Sequence, residues 1–223
     1  MLCSVLSKIH SYVLVGIDAI LCDVEVNVEE SGMRSTTMVG LPQTAVKESV
    51  ERVFQAIANC SYPLKPRKVV INLAPADVKK EGPSLDLPIA IGLLRASKFI
   101  TTDTHKKYLL AGELALDGRI RKIKGALSLA LLAKSKEMAG VIVPQENARE
   151  AAVVDGIDVI AVSTLPQAVS FLNGQLDLEP YQLDGEPYAL SQLEQELDFS
   201  DVRGQEAVKR AITIACAVRT TLQ

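Results

Sequence analysis

Ser84 stands in Gly82-Pro83-Ser84, directly ahead of the apolar run that starts at Leu87. A serine entering a helix can act as a nucleophile once an adjacent base takes its proton. The amines available for that role are Lys79, Lys80, Lys122 and Lys124, one of which must lie within hydrogen-bond reach of the hydroxyl. The same residues also support a reading without catalysis. Asp86 is placed to cap a helix beginning at Leu87, Pro88 suits a first turn, and Gly82 supplies permissive backbone before the cap. A second chemistry is phosphate binding. Arg119, Arg121, Lys122 and Lys124 concentrate positive charge beside Asp117-Gly118, and Lys65, Arg67 and Lys68 form a smaller cluster. Such groups can neutralise DNA phosphates with salt-dependent affinity, although charges on an edge strand also guard against aggregation.

Composition narrows the remaining classes. The chain has 223 residues, 48% hydrophobic, enough for a real core, but only 4% are aromatic and there is no Trp, which disfavours an aromatic stacking platform for single strands. The net charge of -3 conceals an asymmetry. Residues 1–149 carry 20 Lys and Arg against 15 Asp and Glu, whereas residues 150–202 carry 11 acids and no base. Cys3, Cys22, Cys60 and Cys216 are isolated, without metal-ligand spacing, and read as single buried thiols in a reducing compartment. His10 and His105 read as ordinary surface or partly buried histidines, and no metal site is expected. The apolar run Tyr12 to Cys22 is interrupted by Asp18 and too short to span a bilayer, so a cytoplasmic location is expected.

The elements that must position these residues alternate between strands and helices. Residues 4–15 alternate loosely, and Ala19 to Glu29 reads as a strand with Val24, Val26 and Val28 on one face and acids or Asn on the other. After a turn at Glu30-Ser31-Gly32, Thr36 to Val39 reads as a return strand that would make an antiparallel start to the sheet. Pro42 then opens a helix carrying Val46, Val50, Val53, Phe54, Ile57 and Ala58 inward, with Glu48 and Arg52 paired on its outer face. Lys68 to Leu73 is a buried strand. Ile89, Leu93 and Leu94 pack inward from the next helix, with Gly92 allowing a close approach. Tyr108 to Ala111 and Leu114 to Leu116 are short strands, and Asp117-Gly118 signals a hairpin. A helix over Ala126 to Ala139, a buried strand over Gly140 to Pro144, another over Gly156 to Val162, and a helix from Thr164 to about Leu172 complete an α+β domain.

The segment from Gly82-Pro83-Ser84 through Gly112-Glu113 to Gly118-Arg119-Ile120 resembles the catalytic domain of Lon protease, as does Val141-Ile142-Val143-Pro144 with Glu146-Asn147. In Lon the base is a lysine on the helix after the Gly-Arg turn; the matching place here holds Leu127. The resemblance therefore implies the fold, a mixed sheet with packed helices like domain 2 of ribosomal protein S5, and argues against the activity. Three further phrases, Met38-Val39-Gly40-Leu41-Pro42, Asn72-Leu73-Ala74-Pro75-Ala76-Asp77 and Asp86-Leu87-Pro88-Ile89-Ala90, resemble the ComM/YifB family of magnesium-chelatase-like AAA+ proteins. This likeness implies a Lon-like domain over 1–173, an acidic linker over 174–198 and the opening of an AAA+ module over 199–223. Val202, Gly204 and Gln205 would lie by the nucleotide of the intact motor. It also implies a homo-hexamer using ATP and magnesium and acting on DNA during recombination or transformation. The phosphate loop expected after the first motor helix does not appear within the chain, so no cofactor is expected here. Two other readings are a Ser/Lys peptidase using Ser84 and a magnesium-chelatase subunit.

Overall fold

The computed structural model describes residues 5–29, 33, 35–64, 68–183 and 204–220. They belong to two units, Met1–Asp184 and Gly185–Gln223.

In the first unit, β1 (Val5–Val15) and β2 (Asp18–Glu29) form a long antiparallel hairpin. The period-two pattern of β2 is realised as expected: Val24, Val26 and Val28 are buried, while Asp23, Glu25, Asn27 and Glu29 are half-exposed. β3 (Ser35–Val39), however, does not return beside β2. β4 (Lys68–Ala74) lies between them, antiparallel to β2 and parallel to β3, giving the order β1-β2-β4-β3. The reason is the connection, since parallel neighbours need a crossover and α1 (Thr44–Asn59) supplies it. The expected antiparallel return strand is thus corrected to a β-α-β unit.

Pro42 also differs from its expected place. It pairs with Lys80 as an isolated bridge, held by hydrogen bonds from Lys80 N–H to Leu41 O and from Gln43 N–H to Lys80 O, and Gln43 is extended at φ -71°, ψ 169°, so the helix starts only at Thr44. Val46, Val50, Val53 and Ile57 are buried as the helical spacing predicts, but Ala56, not Ala58, completes the buried stripe.

α2 (Asp86–Ala96), entered through a 3-10 turn at Pro83–Leu85, is the hydrophobic centre of the unit: Leu87, Ile89, Ala90, Ile91, Leu93 and Leu94 are fully buried. Gly92 is needed for that fit, because a Cβ there would sit 2.6 Å from Val26 Cγ2. A second, parallel sheet, β5-β8-β9, is built from β5 (Tyr108–Leu110), β8 (Gly140–Pro144) and β9 (Asp158–Val162). Between them run the small hairpin β6 (Glu113–Leu114) and β7 (Ile120–Arg121), α3 (Ala126–Ser135) and α4 (Ala148–Ala151). Past Ser135 the backbone leaves the helix through Glu137 at φ 54°, so α3 is one turn shorter than its apolar pattern. α5 (Leu165–Leu172) begins at Thr164, whose hydroxyl accepts from Gln167 N–H as a cap. The chain then stays on the body: Tyr181 N–H donates to Val159 O at 2.8 Å, and Leu178 and Tyr181 pack against the core. The second unit contains α6 (Glu206–Thr220).

Among the described cysteines only Cys22 is buried, its thiol pushed up to about 12 chiefly by burial, with Lys80 pulling the other way. Cys60 is half-buried and Cys216 exposed, which corrects the reading of uniformly buried thiols; Cys3 lies outside the described residues. His105 is likewise buried, with no hydrogen-bond partner for its Nδ1; burial and then Arg95 hold its imidazole below the usual range.

Candidate functional site

The Ser84 loop is fixed by its backbone. Gly112 N–H donates to Ser84 O at 3.0 Å, and Leu87 N–H donates to Gly112 O at 3.0 Å, so one residue joins the entry of α2 to the strand end after β5. These bonds cap α2. Asp86 does not, because it already lies inside the helix at φ -59°, ψ -51°, and its carboxylate is turned elsewhere. That carboxylate is fully buried and accepts from Arg52 Nε at 2.7 Å, Arg52 NH2 at 3.1 Å and Leu114 N–H at 3.1 Å. Arg52 therefore points inward instead of sharing the outer face with Glu48. A buried charge must be paired and hydrogen-bonded, and the fork of a guanidinium does this best.

Among the described residues the Ser84 hydroxyl has no hydrogen-bond partner, and none of the four lysines serves it. Lys80, fully buried, donates its ammonium to Pro75 O, while Lys79, Lys122 and Lys124 are exposed.

The segment 123–127 is held just as firmly. Buried Asn147 accepts from Ile123 N–H at 2.9 Å and donates to Ile123 O at 3.0 Å, standing in for a strand neighbour. Its amide also donates to Glu150 Oε2 at 3.1 Å, and Glu150 Oε1 accepts from Leu127 N–H at 3.1 Å, capping α3. Tyr12 donates its hydroxyl to Lys124 O; burial, then Glu150, hold that phenol far above its ordinary range, so it remains a donor. The Leu127 side chain, in contrast, is exposed. The sequence reading missed Tyr12, Asn147 and Glu150 as a group. A signal existed only for Asn147, in the Pro-x-Glu-Asn phrase.

In the basic loop the charges are partly spent. Arg119 Nε meets Asp117 at 2.7 Å and Arg121 NH1 meets Glu113 at 3.6 Å. Lys122 and Lys124 are exposed and have no acidic partner among the described residues. In the smaller cluster Lys68 pairs with Glu29 at 3.3 Å; Lys65 and Arg67 lie outside the described residues.

Residues 24–147 match the family model of subunit ChlI of Mg-chelatase. The chain is 41% identical to the uncharacterized protein YifB of Escherichia coli, and 37% identical to the competence protein ComM of Haemophilus influenzae, each over 213 residues and 95% of its length. It belongs to this magnesium-chelatase-like ComM/YifB family. The match covers 41% and 42% of those two relatives, so the chain spans about two-fifths of their length. Lon protease 2 of Bacillus subtilis is 26% identical over 159 residues, 70% of this chain and 28% of that protein.

Of the positions that the ComM/YifB likeness assigns to a nucleotide, Val202 lies outside the described residues. Gly204 and Gln205 both have left-handed backbone, at φ 72° and 57°, and lead directly into α6. Val208, Ile212 and Ile214 of that helix are exposed. Among the described residues no three His, Cys, Asp or Glu side chains gather to hold a metal ion, and no helix is long and apolar enough to cross a membrane.

Proposed function

We propose that this chain is the non-catalytic Lon-like part of a ComM-like AAA+ ATPase that acts on DNA in recombination or branch migration during natural transformation. In this reading the domain serves ring assembly or DNA engagement, ATP and magnesium belong to the motor of the intact protein, and the intact protein is a cytoplasmic homo-hexamer. The observation that carries the non-catalytic reading is at Leu127. The position at which Lon places its base holds an exposed leucine, while the backbone around it is retained by Asn147, Glu150 and Tyr12. A hydrocarbon accepts no proton, and the Ser84 hydroxyl has no other amine to activate it. The relative named as a competence protein supports the DNA-uptake context.

The Ser/Lys peptidase reading would need one of Lys79, Lys80, Lys122 or Lys124 to reach Ser84. Lys80 is instead committed to Pro75 O. The magnesium-chelatase reading rests on the family label alone.

Binding of the purified chain to fluorescent single-stranded, duplex and four-way-junction DNA across a salt series tests the DNA arm. Salt-dependent binding that disappears when Arg119, Arg121, Lys122 and Lys124 are all changed to Ala supports direct engagement. Absence of binding at low salt removes it and leaves assembly. Labelling of Ser84 by a serine-reactive fluorophosphonate probe, abolished by S84A, would overturn the non-catalytic reading.

A further inference from the structure

Two serines interrupt the buried face of β1. Its inward positions run Ser7, Ile9, Ser11 and Val13, with Ser7 3% exposed and Ser11 fully buried. A hydroxyl in such a place costs free energy unless it is hydrogen-bonded. Ser11 is bonded: its Oγ donates to Leu110 O at 2.8 Å, across the seam where β1 of the first sheet runs beside β5 of the second. Ser7, on the same face of the strand, has no hydrogen-bond partner for its Oγ. Among the described residues just one other buried side-chain atom shares that state, Nδ1 of His105, a residue 2% exposed.

Both atoms belong to one corner of the fold. β1 and β5 run in the same direction, as α3 shows. Its start lies by Leu14, since a Cβ on Gly125 would stand 2.8 Å from Leu14 Cδ2, whereas past its end Ala139 N–H donates to Lys107 O, just ahead of β5. From the Ser11–Leu110 bond, four residues back along one strand is Ser7, and the same distance back along the other is the 3-10 turn Thr104–Lys107, which packs on β1. α2 closes the corner: Val26, directly across from Ser7, packs under Gly92, and Arg95, one turn further, exerts its charge on His105.

Water satisfies a hydroxyl and an imidazole nitrogen together, because it both donates and accepts, and buried waters are held by two to four polar groups. The Thr102 backbone, which also reaches the His105 ring, supplies a third such group. An ion is less suited, since Arg95 and Lys106 are already engaged by Asp103 at 3.3 and 3.1 Å. We propose that a single water molecule is held between Ser7 Oγ and His105 Nδ1. The seam between the two sheets is then fastened twice, directly at Ser11 and through water at Ser7, and His105 serves to tie β1 to the entry of β5.

Urea unfolding of the full chain as wild type, S7A, H105F and S7A/H105F tests this. Each single variant leaves the water and the remaining group one bond short, so the double variant should lose less than the two single losses combined, by about fivefold or more in the unfolding equilibrium constant. Strict additivity would overturn the bridge. Magnetisation transfer from water to the His105 ring protons, measured by NMR, should be present in wild type and absent in S7A. Transfer that persists unchanged in S7A would overturn the bridge in favour of water held by His105 alone, and coupling with no transfer would overturn it in favour of a direct Ser7–His105 bond. If H105F fails to fold, the wild-type and S7A spectra decide the matter, because S7A removes a single heavy atom.

Discussion

The Ser84–Asp86 turn and the Ile123–Leu127 turn face the same physical problem and have met it in the same way, yet only one still carries a reactive group. In each, side chains bonded to backbone across distant elements tie the turn down: Asp86, within the first turn, receives Leu114 N–H and Arg52, whereas Asn147 and Glu150, from outside the second, receive Ile123 N–H and Leu127 N–H. Burying unpaired peptide groups is costly whether or not the site reacts, so these supports are requirements of the fold. A hydroxyl or an amine projecting from the finished turn has no such hold. The scaffold around Leu127 therefore says nothing in favour of catalysis.

The largest expected effect tests the first turn. R52M leaves the Asp86 carboxylate fully buried with no cation and should cost about 3–5 kcal/mol. Adding D86N should recover much of it, and urea unfolding of the single and double variants measures both. If R52M were neutral, Asp86 would not be the anchor described. The second turn should be weaker but still structural: N147A removes both bonds to Ile123 and is expected to cost about 1–3 kcal/mol by the same measurement. Near equality of the two losses would erase the distinction between an ionic and a neutral support. L127K addresses chemistry more than stability. On an exposed position it should change unfolding free energy by no more than ~0.5 kcal/mol, and a fluorophosphonate probe should still leave Ser84 unlabelled. New labelling in L127K would show that the amine alone had been missing.

The smallest effect is in pH. Burial, with Arg95, lowers the folded-state pKa of His105, so the unfolded chain binds its proton more readily. Stability should be complete above the unfolded value near ~6.5 and decline as pH falls below it. In H105Q this part of the decline should vanish in pH-dependent thermal melts.

Much of this was legible from the chain alone because apolar period and turn chemistry are local. The alternating face of β2, the inward stripe of α1, the Asp117-Gly118 hairpin and the Thr164 cap all follow from neighbours within a few residues. The failures share a different character. Arg52 looks like an i,i+4 partner of Glu48 until Asp86, 34 positions away, is brought beneath it. Asp86 looks like a helix cap until Gly112 O takes Leu87 N–H and Leu114 N–H takes the carboxylate. β3 looks like a hairpin return until β4 is inserted between the strands. The site showed the same division: Leu127 was readable by position, whereas the support from Tyr12, Asn147 and Glu150 required the tertiary fold.

Gly112 carries a further consequence. It gives its N–H to Ser84 O while its own carbonyl takes Leu87 N–H, and a Cβ there would stand 2.8 Å from Ile120 Cγ2 and 3.2 Å from Leu87 Cβ. The amides of Leu87 and Gly112 are thus shielded by a single joint between α2 and the strand end after β5. In native-state deuterium exchange the two should open together, at one shared protection, and G112A should expose both at once; the joint behaves as a hinge pin whose removal frees two leaves simultaneously.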